Sequence, residues 1–208
     1  MSKSALSSVV NIADLRALSR RRLPRAIFDY LDGGADDEVT LRENRDAFQD
    51  TCFRPRNATR LADCDLSTRI LGHRFALPFL LAPIGYTRLM HPDGEIGAAR
   101  AAGTAGTGYI LSTVSGYSIE KVRAATSGPL FYQLYLVGGR GAAEAGIERA
   151  RAAGYQALVL TIDTPLAGNR ERDLRNGAKE LLGRSLFRKL PYLPEVLSHP
   201  YWIYRHLR

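Results

Sequence analysis

The sequence predicts a parallel α/β fold fronted by helices, and two observations carry that reading. From residue 77 onward, apolar strand-like runs alternate with alanine-rich helical stretches. Three of the runs also carry polar residues close to their C-terminal ends. The runs are LPFLLAP (77–83), TGYILST (107–113), PLFYQLYL (129–136) and YQALVLTIDT (155–164), and between them lie GEIGAARAAGTAG, SIEKVRAAT and GRGAAEAGIERARAAG. Each β-α unit takes about 25 to 30 residues, and such alternation argues for a parallel sheet covered by helices. A doubly wound sheet and a (β/α)8 barrel both fit. A dinucleotide-binding sheet calls for a glycine fingerprint after its first strand, whereas PIGYTRLMHPDGE follows here without GxGxxG. That favours the TIM (β/α)8 barrel. A whole barrel takes about 250 residues, so this chain has room for only about the first four β/α units.

Ahead of the barrel portion the pattern is helical. Val10, Ile12, Leu15 and Leu18 recur at roughly helical spacing within residues 9–22. Pro24 is suited to a first turn and opens a second helix through AIFDYLD, which Gly33 and Gly34 are expected to end in a left-handed cap. Asp36, Asp37 and Glu38 are expected in the first turn of a third helix, where the helix dipole favours acids. The cluster with Asp32 lacks the spacing of a calcium loop, so it reads as capping rather than metal binding. The organisation expected is residues 1–70 as a helical segment, 71–178 as the first half of the barrel and 179–208 as a basic aromatic insert.

Composition narrows the function class. With 45% hydrophobic and 24% charged residues in 208, the chain is ordinary globular material, not a disordered one. The apolar run around Ala76–Ile84 contains two prolines and is too short to span a bilayer. The N-terminus shows no continuous apolar stretch before its charges, so no secretory signal is read and a cytoplasmic location is expected. Cys52 and Cys64 form no CxxC or Cys/His cluster and read as ordinary thiols. The net charge of +8 invites a nucleic-acid reading, but no zinc-finger, helix-turn-helix or RNP pattern supports one.

The polar strand ends point to a site. Side chains alternate along a strand, so Val159, Thr161 and Asp163 share one face, as do Phe131, Gln133 and Tyr135. Ser112 ends the 107–113 run in the same way. Catalytic residues of barrels sit at the C-terminal ends of the strands. A single buried Gln or Thr is more often a satisfied core group, and three successive polar ends weigh against that reading. Asp163 is expected to be buried, which is costly for a carboxylate unless a donor or cation meets it.

FDYLDGGADDEVTLREN, LLAPIGYTRLMHPDGE, FYQLY and LTIDTPLAGNRERDLRNG together closely resemble the FMN-dependent 2-hydroxy-acid oxidases and dehydrogenases, across about residues 10–178. The extended NRERDLRNG form is most similar to the bacterial dehydrogenase branch. The resemblance implies oxidation of a small L-2-hydroxy acid, lactate first and mandelate or glycolate next, to the 2-oxo acid. Electrons then pass through FMN to a quinone, a cytochrome or O2. It places the backbone of Pro83, Ile84 and Gly85 against the flavin ring, with Ser112, Gln133 and Thr161 hydrogen-bonding it. Tyr30 and Arg170 correspond to substrate-holding positions, Tyr135 to the tyrosine beside the substrate hydroxyl, and Asp163 to the aspartate that pairs with the catalytic histidine. A carboxylate there orients an imidazole and stabilises the imidazolium formed when the base takes a proton. Relatives are commonly homo-oligomeric.

The resemblance also implies parts that this sequence does not show: the base histidine, the arginine that follows it, a lysine beside the flavin, and the phosphate loops after the last strands. His73, His91, His199 and His206 are present, and none ends a strand of the repeating pattern. The chain is therefore expected to be an N-terminal portion, inactive alone. The alternative is a non-catalytic half-barrel that serves as a scaffold or as one half of a split enzyme. The stretch GRSLFRKLPYLPEVLSHPYWIYRHLR combines cations with Phe187, Tyr192, Tyr201, Trp202 and Tyr204. It suits peripheral contact with an anionic membrane surface, or packs as an ordinary helical loop.

Overall fold

The computed structural model describes residues 7–59, 63–163, 166–178 and 186–207. Two compact units emerge, residues 55–166 and residues 1–54 with 167–208. Arg184, Arg208, Thr164 and Pro165, which figure in the sequence reading, lie outside the described residues.

In the N-terminal unit, α1 spans Ile12–Arg22, α2 Arg25–Asp32 and α3 Val39–Gln49. Asn11 starts α1 with a capping box: its side chain accepts from the Asp14 N–H at 2.9 Å, and the Asp14 carboxylate accepts from the Asn11 N–H at 3.3 Å. Pro24 caps α2, as its fixed φ suits. Two expectations fail here. Gly33 ends α2 with φ −88°, not in a left-handed cap; a Cβ there would come within 2.7 Å of the Asp29 carbonyl, so close approach is what calls for glycine. The acids Asp36–Glu38 precede α3 instead of filling its first turn, because Asp36 and Glu38 take positive φ (47° and 58°) and turn the chain.

The second unit begins with a hairpin that the sequence reading did not anticipate. Strands β1 (Thr68–Ile70) and β2 (His73–Phe75) pair antiparallel with Ile70 opposite His73. Leu71 and Gly72 both have positive φ, as a two-residue hairpin turn requires. Helix α4 (Thr87–Met90) and α5 (Gly94–Thr104) lead to β3 (Tyr109–Leu111), then α6 (Ile119–Ala124), β4 (Leu130–Leu134), α7 (Gly139–Ala152) and β5 (Ala157–Leu160). The sheet is parallel in the order β3-β4-β5, with Gln133 opposite Val159. The 77–83 run makes only an isolated parallel bridge, Leu81 to Tyr109, and is not a full strand. Its prolines explain this: Pro78 and Pro83 have no N–H to give a ladder. The Leu81 segment, β3, β4 and β5 thus lie in chain order, as in a barrel.

The core sits between sheet and helices. Leu111, Val122 and Leu130 are wholly buried, and each such side chain contributes about 1.5–3 kcal/mol. Ala99 and Ala102 of α5, with Ala143 and Ala150 of α7, bring the helices close to the sheet. Gly146 goes further: a Cβ there would sit 2.9 Å from the Tyr132 hydroxyl. By contrast, Leu158, Leu160 and Ile162 stay exposed along β5 and its extension.

In the C-terminal part of the first unit, α8 covers Glu171–Arg175, α9 Leu186–Lys189, α10 Leu193–Leu197 and α11 Pro200–Leu207. A single 3-10 turn, Leu190–Tyr192, links α9 to α10. No helix among the described residues is long and apolar enough to cross a membrane.

Candidate active site

The C-terminal ends of the strands in the second unit carry a continuous polar row. Gln133 Nε2 donates to Thr161 Oγ1 at 2.8 Å, so these two side chains face each other across β4 and β5. The Thr113 N–H donates to Gln133 Oε1 at 3.2 Å. The Thr113 hydroxyl donates to the Gln133 carbonyl at 2.6 Å and accepts from the Tyr135 N–H at 2.9 Å. Ser112 Oγ accepts from the Val114 N–H at 3.3 Å. Ser112 and Gln133 are buried, while Thr161 and Tyr135 are half-buried. In low dielectric such bonds are strong, and a broken one is costly.

Pro83, Ile84 and Gly85 follow the Leu81 bridge directly, and the Tyr86 N–H donates to the Val114 carbonyl at 3.0 Å. Pro83 and Gly85 are half-buried and Ile84 is 44% exposed. The structure therefore brings together the ends of four neighbouring segments, with Pro83–Gly85, Ser112, Gln133 and Thr161 among them. Asp163 differs from expectation. Its strand ends at Leu160, opposite Leu134, the last residue of β4, although the Thr161 N–H still reaches the Leu134 carbonyl at 3.1 Å. Beyond that, Asp163 is exposed and no described residue holds its carboxylate, so it carries no burial cost to be offset.

Tyr30 and Arg170 meet in the other unit. The Arg170 guanidinium lies over the Tyr30 ring at 5.2 Å, and its Nη2 donates to the Tyr30 carbonyl at 2.5 Å. Arg170 Nε donates to Asp173 Oδ2 at 2.6 Å. The rest of NRERDLRNG holds the FDYLDGGADDE segment. Arg172 binds Asp32 at 3.1 Å and also Glu38, whose other oxygen accepts from the Gly34 N–H at 3.0 Å. Asn169 bonds Asp36 through backbone and side chain, and Asn176 Nδ2 donates to Asp29 Oδ2 at 2.9 Å. Arg16 closes the network with a two-point pair to Asp32. Its hydrogen bonds hold the Asp32 carboxyl below the usual range against the opposing effect of burial, and Arg172 adds to them. The Gly34 N–H, followed by Arg172, likewise lowers Glu38.

A family of FMN-dependent dehydrogenases matches residues 19–207. The chain belongs to this family. Glycolate oxidase 1 of Oryza sativa subsp. indica is 40% identical over 82% of the chain and 46% of its own length. A putative L-lactate dehydrogenase of Mycobacterium tuberculosis is 40% identical over 97% of the chain and 48% of its own length. Among solved structures, a monotopic membrane protein, (S)-mandelate dehydrogenase, superposes with a TM-score of 0.87 at 36% identity, covering 97% of this chain and 52% of that one. The chain thus spans about half the length of the relatives it matches. Family members are FMN-dependent 2-hydroxy-acid dehydrogenases and oxidases, and the fold is that of the TIM-barrel members over part of their barrel.

The polar row suits FMN in its chemistry. After the bonds above, Ser112 and Thr161 keep a hydroxyl proton and Gln133 keeps its second amide N–H, three donors along adjacent strands. A flavin ring presents carbonyl oxygens and ring nitrogens along one edge, which such donors match. The sequence reading missed Thr113, whose only signal is its place beside Ser112 at a strand end. It also missed the wholly buried Glu95.

Proposed function

We propose that this chain forms residues 71–178 into the N-terminal half of an FMN-dependent 2-hydroxy-acid dehydrogenase or oxidase barrel, with residues 1–70 as helical cover. The substrate is a small L-2-hydroxy acid, lactate foremost and mandelate or glycolate next. The polar row from Ser112 through Gln133 to Thr161 carries this reading, because three consecutive strand ends share one hydrogen-bonded face. Bound FMN supplies the two-electron acceptor chemistry. Ser112, Gln133 and Thr161 hold the ring by its polar edge, and the Pro83–Gly85 backbone lies against its face. Tyr30 and the Nη1 group of Arg170, which has no partner among the described residues, hold the substrate carboxylate. Tyr135 places its hydroxyl beside the substrate hydroxyl. Asp163 orients a base histidine.

The isolated chain is inactive in this reading. Among the described residues every histidine outside the β2 strand is engaged within its own helix or turn. His91 accepts from the Asp93 N–H, His199 bonds the Glu195 carbonyl and His206 the Trp202 carbonyl. None meets Asp163. The test is an assay of the pure 208-residue chain, with FMN added, on lactate, mandelate and glycolate with an artificial acceptor. No turnover is expected; measurable oxidation would defeat the proposal of inactivity.

A second reading, one half of a split enzyme or a scaffold, is favoured by the bare apolar face of Leu158, Leu160 and Ile162. Restored turnover on mixing with a chain carrying the other barrel half would select the split enzyme. Peripheral membrane contact is supported by exposed Phe187, Leu190, Leu193, Leu197, Tyr201 and Tyr204 beside Arg188 and Arg205. Vesicle sedimentation that does not rise with anionic lipid would remove it.

A further inference from the structure

Glu95 is the second residue of α5 and is wholly buried, although it is an acid. Acids are almost never fully buried without a partner, and unsatisfied buried atoms call for an explanation. One carboxylate oxygen accepts from the Gly116 N–H at 2.9 Å. The other is buried with no hydrogen-bond partner among the described residues, as is the Tyr109 hydroxyl. The two groups feel each other: burial first, then the Glu95 charge, pushes the Tyr109 phenol well above its usual range.

The single Glu95 bond lands at a sensitive place. Gly116 lies three residues past Thr113, in the loop that leaves β3. The same loop is anchored at Val114 by the Tyr86 N–H and at Tyr117, whose hydroxyl donates to the Pro92 carbonyl at 2.6 Å. Every one of these anchors belongs to the segment that runs from Pro83 to Glu95. The loop after the first strand segment and the loop after β3 are therefore fastened to each other, with the Glu95 carboxylate among the fastening bonds and the Arg88 guanidinium over the Tyr117 ring at 4.8 Å. At its other end the β3 loop contains Thr113, whose N–H fixes Gln133 Oε1 and so decides which way the amide points.

We propose that Glu95 is a positioning residue: by holding Gly116 it sets the Thr113 turn, and through Thr113 it orients the Gln133 carboxamide toward the cofactor side. The cofactor part of this inference rests on the function proposed above; the coupling from Glu95 to Gln133 does not.

The test is backbone and side-chain NMR on the full 208-residue chain, comparing Glu95→Ala and Glu95→Gln with the parent. Glutamine keeps an acceptor for the Gly116 N–H, and alanine does not. In Glu95→Ala the exchange of the Gly116 and Thr113 amides is expected to accelerate about tenfold or more, with the Gln133 side-chain resonances displaced, since a hydrogen bond to a charged group is lost. The amides of β4 from Leu130 to Leu134 are expected to hold, and Glu95→Gln to stay within about twofold of the parent at Thr113. An unmoved Gln133 side chain in Glu95→Ala would overturn the proposal. So would an equal acceleration throughout β4, which is what a merely structural acid would give. Should Glu95→Ala not yield folded protein, Glu95→Asp shortens the reach to Gly116 by one methylene and carries the same comparison. An FMN titration of the parent, read at the Gln133 side chain, separates the two layers. Coupling without a flavin response leaves the positioning role standing and removes the cofactor reading, and the reverse removes only Glu95.

Discussion

The two units are held together by different physics. The unit of residues 55–166 is built on Leu111, Val122, Leu130 and Leu134 packed against alanine-rich helices, with the sheet ladder inside. The unit of residues 1–54 and 167–208 is stitched by charge: Arg16, Arg172, Asp32 and Glu38, with Arg170 on Tyr30. The difference teaches where each can fail. Apolar burial is indifferent to salt and acid, whereas partly exposed ion pairs are screened by salt and lost when their carboxylates protonate. It also separates the roles of the two motifs. NRERDLRNG uses most of its charges to hold the helical segment in shape, whereas the strand ends are joined through neutral polar groups.

The comparison can be broken most forcefully at Leu130→Ala, which is expected to cost about 2–5 kcal/mol in urea unfolding followed by far-UV circular dichroism. Gly146→Ala comes next, at about 1–3 kcal/mol, since its methyl must displace the Tyr132 ring; a loss under half of that would show the ring gives way. Thr113→Val keeps the shape but removes two bonds at once, from the Gln133 carbonyl and the Tyr135 N–H. About 1–3 kcal/mol is expected. Arg172→Ala sharpens the contrast. Its pairs are partly screened, so about 1 kcal/mol is expected, shrinking as salt is raised, while Leu130→Ala is expected not to respond to salt.

The smallest effect is with pH. Asp32 has a lowered folded value, so its contribution is complete above the unfolded value of about 3.9 and fades as pH falls through the folded one. Trp202, the only tryptophan, lies in the charge-stitched unit and reports on it by fluorescence. Its signal is expected to change below about pH 4, ahead of the far-UV signal. Glu120 of the other unit is also held down, to about 2 by Arg149, but it is exposed and contributes little.

Much of this was legible. Helical period, glycine and proline positions and strand alternation located α1, α2, α5, α6, α7, β3, β4 and β5, since those signals are local. Period 2 placed Gln133 and Thr161 each on the polar face of its own strand, and their contact across β4 and β5 came from the register. What was not legible needed partners far along the chain. The Leu81 run looked like a strand because apolar character was counted and its two missing N–H groups were not. Asp163 was expected to be buried because its run was apolar, but a strand is buried only as far as its neighbour extends, and β4 stops at Leu134. Glu95 gave no signal, because an acid in a first turn is ordinarily a solvated one.

The uncovered side of β5 has one more consequence, for the chain as a material. Among the described residues β5 pairs only with β4, and Ala157–Leu160 bear no charge, proline or bulge to blunt the free edge. Such an edge is a template for the next strand that drifts by, and Leu158, Leu160 and Ile162 give that strand something greasy to settle on. The preparation should therefore be governed by its own concentration: clear when dilute, and self-associating by a reaction that steepens as molecules crowd together.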